Sequence, residues 1–378
     1  MTDSIGLTRM PIDLGHFAEA VTNRTERLFR HAEKQKVFGW FCTYTPIELI
    51  HAAGFLPVRI YGGMIRVEQA GSLVPNFVCP YMRTSLERAL RGEYKYLSGV
   101  IQGYTCDVPC GMTNIWEGNT GLGFFHTVPL PYNADESARA YYRHTLNELI
   151  DKLAGAGGRI DSTSLGRSLD LYAEIRNNLL RLHELRLRNI FVPSASDFYI
   201  ILEAGFSLPP EEYLKLLTNL TGAIETKKAA AANAIPVLVS GSIVEQMWIF
   251  DLLEAAGGQV VADDLCNGYR FCEPADGSGT DPIERLIDRY IHRFPCPARS
   301  IVDDRIARVR GLVEKSGAKG VIFLFQKFCT PHLADYPALA GELKNDGIPV
   351  LLAEMDESGN IEGQLKTRFE AFFEMIRG

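Results

Sequence analysis

Apolar positions along this chain follow two rhythms, and the rhythm changes twice between residue 37 and the end. In the first stretch, short apolar runs alternate with helical spacing. Val37 to Thr43 reads as a strand, IELIHAAG as a helix, Phe55 to Tyr61 as a strand, Ser85 to Arg91 as a helix and Leu97 to Ile101 as a strand. Thr45 suits a helix cap, Pro46 the first helical position, and Gly54 a left-handed stop. Strand, helix, strand is the signature of a parallel βαβ unit. From residue 135 to 230 the spacing turns helical throughout, with Leu at i, i+3 and i+4 and little strand signal. From Ile235 the alternation returns. PVLVSGS, QVVADDLC and GVIFLFQ read as strands, with Ser240-Gly241-Ser242 placed to cap the helix IVEQMWIFDLLEAAGG. The closing EGQLKTRFEAFFEMIRG reads as an amphipathic helix.

These patterns predict an α/β protein with a helical lead-in (1–36), an N-terminal α/β domain (37–134), a mostly helical section (135–234) and a C-terminal α/β domain (235–378). Composition narrows the partners. The net charge of −7 supplies no basic footprint for nucleic acid. No run approaches the length of a membrane span, and MTDSIGLTRMPIDLG lacks the shape of a secretory signal, which predicts a cytoplasmic setting. In such a setting eight cysteines point to metal binding, catalysis or burial rather than to disulfides.

Three cysteines have a common setting. Cys329 follows the apolar run Val321–Phe325, with Pro331 read as ending regular structure there. Cys79 precedes a helix, and Cys106 lies in the turn-rich TCDVPCG after Val100 and Ile101. Thiols at strand ends or helix starts suggest one shared metal cluster; the alternative is three buried structural cysteines. Asp263, Asp264, Cys266, Arg270 and Cys272 gather after another strand, either as a functional group or as an acid–arginine tie in a loop. Cys42, in the first strand, reads as core. Cys296, between prolines, reads as a ligand or a packed turn thiol. Cys106 and Cys110 are four residues apart, and Cys266 and Cys272 six, so neither pair has zinc-knuckle spacing. No GxSxG elbow occurs, and His126 and His332 stand isolated. No catalytic side chain is assigned.

The segments YTPIELIHAAGFLPVRIYGG, FVCPYMRTSLERALRGEY, TCD, VVADDLCNGYRF, FPCPAR and GVIFLFQKFCTPHLADYPAL resemble, in order, the 2-hydroxyacyl-CoA dehydratase / benzoyl-CoA reductase family, from about residue 37 to about residue 355. The resemblance implies two flavodoxin-like, doubly wound parallel-sheet domains with helical additions, paired with a homologous second subunit or a second copy. It implies a 4Fe–4S cluster on three cysteines, carried over as Cys79, Cys106 and Cys329. Cys110 is the alternative to Cys106, which is preferred for its Cys-Asp pair. It further implies an ATP-hydrolysing iron–sulfur activator that delivers a low-potential electron, and an acyl-CoA thioester that is dehydrated or reduced. This chain has no GxxxxGKS or GxxxxGKT loop, in keeping with ATP being handled by that separate protein. Two other roles stay open. One is a non-catalytic, electron-relaying partner subunit. The other is a double-cubane (8Fe–9S) reductase of small molecules, a branch of the family with six cysteine ligands. Here those would be Cys79, Cys106, Cys329, Cys266, Cys296 and either Cys272 or Cys110.

Overall fold

The computed structural model describes residues 14–188, 190, 193–225, 234–299, 301–357 and 361–378. The start of the lead-in (1–13) and the tail of the helical section (226–233) lie outside the described residues. Two four-stranded parallel sheets organise the chain. The first holds β1 (Val37–Trp40), β2 (Leu56–Arg59), β3 (Gly99–Gly103) and β4 (Phe125–Val128), in the order β2-β1-β3-β4. The second holds β5 (Ile235–Gly241), β6 (Gly258–Asp264), β7 (Gly320–Gln326) and β8 (Val350–Met355), in the order β6-β5-β7-β8. Each sheet therefore starts in its middle, steps to one edge and then crosses to the other side. That is the flavodoxin-like order, with a switch point between β1 and β3 and again between β5 and β7.

Both sheets are covered on both faces, which is why their strands read as unbroken apolar runs. In β7, Val321, Phe323 and Phe325 pack with Val309, Leu312 and Leu343 on one side. Ile322 and Leu324 pack on the other side with Leu202, Phe369 and Phe373. In the first sheet, Val37 and Val100 face the core of Met82, Leu86 and Trp116, while Phe38 and Ile101 face that of Leu49, Leu146 and Leu286. The alternation follows from the two-residue period of a strand. Between β4 and β5 along the chain come the helices Glu136–Gly155, Ser162–Leu187, Ala195–Ala204 and Pro210–Glu225. Among the described residues, no helix is long and apolar enough to cross a membrane.

Several local expectations change. Thr45 does not cap the helix Ile47–Ala52; its hydroxyl accepts from the Gly103 amide at 3.0 Å, joining the ends of β1 and β3. Ser242 caps no helix either, because the next helix starts only at Trp248. Its hydroxyl accepts from the Gln326 amide at 2.8 Å, making the corresponding tie in the second sheet. Pro331 does not end regular structure: the helix Thr330–Asn345 begins around it. TCDVPCG likewise opens the helix Asp107–Thr120. Proline is tolerated in a first turn, where the missing amide would have had no partner.

Candidate metal centre

The carboxyl ends of the two sheets face one cavity of about 110 Å³, walled by residues of both halves. Six of the eight cysteines line it: Cys42, Cys79, Cys106, Cys266, Cys296 and Cys329. The fold explains their arrival. Cys42 and Cys106 lie just past β1 and β3, at the switch point of the first sheet; Cys266 and Cys329 lie just past β6 and β7 in the second. All eight cysteines are free thiols.

Cys79, Cys106 and Cys329 share a finer feature. Each is the residue immediately before a helix: Pro80–Leu90, Asp107–Thr120 and Thr330–Asn345. Three helix N-termini, with their unpaired amides and positive dipole ends, thus converge on the cavity. Neither the Cys79 nor the Cys329 side chain makes a capping hydrogen bond; the Met82 amide donates to Cys79 O at 3.1 Å, and the Met82 and His332 amides lie near the two thiols and lower their pKa against the effect of burial. The turn into Cys329 carries Phe328 at φ 63°, the one non-glycine residue in the left-handed region among those described. Such strain persists where the surroundings over-determine it.

The other three thiols sit among arginines. Arg270 faces both Cys266 and Cys296, and Arg293 faces Cys42. Thr105 Oγ1 donates to Cys42 Sγ at 3.3 Å. Arg270 is held by Asp264, with Nε 3.0 Å from Oδ1, and Asp264 also pairs with Arg305 at 3.2 Å. Arg270 Nη2 lies 3.2 Å from His332 Nε2, and His332 Nδ1 lies 3.2 Å from Cys329 Sγ. The acid–arginine tie expected after β6 is present, and it continues as a polar chain to Cys329. Asp263 turns away, accepting from the Tyr269 amide at 2.8 Å and facing Arg186 and His183.

The remaining two cysteines stand apart from the cavity wall. Cys272 is fully buried in the core, its thiol on Gly268 O at 3.6 Å. Cys110 lies one helical turn beyond Cys106, and burial followed by the nearby Cys42 pushes its thiol up to about 12. Among the described residues Cys42, read as core, lines the cavity while also packing against the core of the first sheet, whereas Cys110 and Cys272 do not line it. The first strand stops at Trp40, so Cys42 lies in the turn beyond it. His332 is buried against the cavity, whereas His126 sits half-buried on β4 with Nε2 unbonded.

The thiols fit a cationic polynuclear group. Burial pushes Cys79 and Cys296 up to about 11 and raises Cys106 and Cys329 further. After burial, the causes acting on Cys106 are its neighbours Cys79, Cys329, Cys42 and Cys296. Thiolates packed this way repel one another in an apolar cavity, and bound iron cations would remove that penalty. Among the described residues no three His, Cys, Asp or Glu side chains are near enough to hold a single metal ion.

Comparison with known proteins places the chain. A family model described as 2-hydroxyglutaryl-CoA dehydratase, D-component, matches residues 42–376. The (R)-phenyllactyl-CoA dehydratase beta subunit of Clostridium sporogenes is 26% identical over 373 residues, covering 95% of this chain and 97% of that protein. A benzoyl-CoA reductase subunit of Thauera aromatica is 26% identical, covering 91% of each. The lactoyl-CoA dehydratase beta subunit of Anaerotignum propionicum is 26% identical, covering 88% of this chain and 90% of that protein.

Proposed function

This chain belongs to the 2-hydroxyglutaryl-CoA dehydratase D-component family, and on that footing we propose that it is the iron–sulfur subunit of an acyl-CoA dehydratase or benzoyl-CoA reductase-type enzyme. The observation that carries the reading is the meeting of Cys79, Cys106 and Cys329 on one cavity, each at the start of a helix. These three would hold a 4Fe–4S cluster. When bound, such a cluster with three protein thiolates supplies low-potential one-electron chemistry and an iron with an open position.

The chain's own part is to hold and shield. The helix starts place amides toward the sulfurs and favour negative charge there. Phe41, Met82, Ile243 and Pro297 give the cavity an apolar wall that keeps water from the electron. Gln326, whose side chain donates to Ile243 O at 3.0 Å, and Ser242 fix the β5–β7 end of the wall. The electron comes from a separate ATP-hydrolysing activator and is used on an acyl-CoA thioester, with a homologous subunit completing the enzyme. The relatives are themselves named as subunits, which supports a multi-subunit assembly.

A second reading has its own support. Cys42, Cys266 and Cys296 line the same cavity, so six thiols, three from each half, surround one space. That count suits a double-cubane cluster and the reduction of small molecules. Iron and acid-labile sulfide per chain, measured on anaerobically purified protein with an EPR spectrum of the reduced state, separate the two. About four of each support the single cubane and the acyl-CoA role. Twice that number, lost in part on Cys42→Ala, moves the function to the second reading. A colourless, iron-free protein overturns both.

A further inference from the structure

Large apolar side chains left in solvent are not scattered evenly over this molecule. Nine are exposed among the described residues, and five of them, Phe77, Tyr104, Tyr132, Ile301 and Phe328, attend the thiol cavity. The cavity is open to solvent on one side. Phe77 and Tyr104 each stand two residues before a cavity cysteine, Cys79 and Cys106, and Phe328 stands one before Cys329. Two residues of backbone reach at most about 7 Å. Tyr132 joins them from the loop after β4: its hydroxyl donates to Ala298 O on the cavity wall at 3.3 Å, and it lies beside Tyr104. Ile301 is three residues past Ala298.

Phe328 separates the use of these rings from the needs of the fold. Its φ of 63° is one that glycine adopts freely and phenylalanine only at a cost. Packing does not offset that cost: the residue is 40% exposed, and the Lys327 ammonium lies 5.4 Å from its ring centroid. A strained aromatic left in solvent beside a cavity cysteine has its use outside the chain. The charges next to the two phenylalanines are paired, Lys327 with Asp356 at 3.1 Å and Arg83, one turn past Cys79, with Glu357. Exposed aromatics with neutralised charges around them are the composition of a protein-binding centre and its rim.

We propose that this aromatic collar is the docking face for the protein that delivers the electron. The proposal rests on the reading that the cavity thiolates hold an iron–sulfur group fed by a separate activator. Cys110 and Cys272, the two cysteines outside the cavity wall, are too few to carry a second cluster in this chain. The electron therefore enters from outside, and the collar stands beside all three proposed ligands. A subunit seated there permanently would close that entry, so the occupant docks and leaves. Electron-transfer encounters of this kind use small interfaces, below about 1,200 Å². Aromatic side chains suit them, because each buries a large area and a few such residues carry most of the binding energy.

The experiment compares anaerobic wild type with the double variant Phe77→Ser, Phe328→Gly, the glycine being chosen because it suits the left-handed backbone. Iron and sulfide are counted per chain, and reduction is followed by EPR with two donors: titanium(III) citrate, and the ATP-loaded iron–sulfur activator that reduces wild type. The double variant keeps wild-type iron, is reduced by titanium(III) citrate as wild type is, and needs at least about tenfold more activator for half-maximal rate. An unchanged activator requirement overturns the proposal. With that requirement unchanged, an altered sedimentation coefficient would give the collar to a second copy of the chain, and a raised KM for acyl-CoA would give it to the substrate. Should the double variant lose iron, Tyr132→Ser, remote in sequence from every cavity cysteine, decides: a raised activator requirement at full iron supports the proposal, and an unchanged one overturns it. A wild type that carries no iron, or that no ATP-loaded activator reduces, sinks the underlying reading, an outcome distinct from failure of the collar alone.

Discussion

His332 is held between a guanidinium, the Gly241 carbonyl and a thiol. Arg270 Nη2 can only donate, which favours Nε2 as acceptor and the proton on Nδ1 toward Cys329 Sγ, while Gly241 O draws a ring N–H the other way. Burial first, then Arg270 and Arg305, holds the imidazole well below its ordinary range, so the ring is neutral. Groups that orient a metal ligand in this way are typically worth 10–100-fold in metal affinity. We therefore expect His332→Ala to release iron to a chelator about 10–100-fold more readily, with His332→Gln, which can still donate and accept, recovering most of the loss. Chelator competition on anaerobic protein checks this, and equal retention in His332→Ala would remove His332 from the ligand's support. In the sequence this histidine looks isolated because its meaning depends on a helix starting at Thr330. Cys42 reads as core for a similar reason: two residues decide whether it lies inside a strand or in the turn beyond.

At the scale of elements, the α/β class and both sheets are legible because apolar runs of strand length alternate with helical spacing. The starts of the helices around the cavity are not. Pro331 and Pro109 look like breaks, yet each occupies the opening turn of a helix, and those turns aim the amides at the sulfurs. The helix Asp107–Thr120 also has a cost built into its start. Cys106 has the extended backbone of a good cap, φ −127° and ψ 163°, but its side chain makes no capping bond. A serine there would accept from an orphan amide, an interaction worth roughly 1 kcal/mol. Cys106→Ser is expected to raise the stability of the iron-free protein by about that amount while lowering iron content. Urea unfolding of iron-free wild type and variant, beside iron analysis, tests both halves. An iron-free variant less stable than wild type would show that the thiol serves the fold rather than the ligand.

The cavity exists only where the two halves of the molecule meet, and no local pattern foretells which surfaces do so. Glu48 shows how that contact is held. It lies in a short helix of the first half, fully buried, against Arg176 of the long helix Ser162–Leu187 and Arg289 of Pro282–Ile291. Tyr290 adds a 2.8 Å hydrogen bond to Glu48 Oε2 and a 2.7 Å bond to Thr45 O. These partners lie more than a hundred residues away in sequence, so IELIHAAG alone reads as one more amphipathic helix. Burial pushes the Glu48 carboxyl up, but Arg176 and Arg289 outweigh it and hold it at about 2, against an ordinary 4.5. A carboxyl depressed on folding stabilises above its unfolded value and loses that contribution as pH falls toward its folded value. Ionised Glu48 thus supports the joint in full above pH 4.5, and the support fades as pH falls from 4.5 toward 2. Glu48→Gln leaves two buried guanidiniums without their anion and is expected to cost about 3–5 kcal/mol near neutral pH. The decisive feature is pH. The stability gap between wild type and Glu48→Gln, read from denaturant midpoints, should narrow steadily below pH 4.5 as wild type takes up the proton. A gap that stays constant through that window would mean that the carboxyl's shape, not its charge, joins the halves around the thiols.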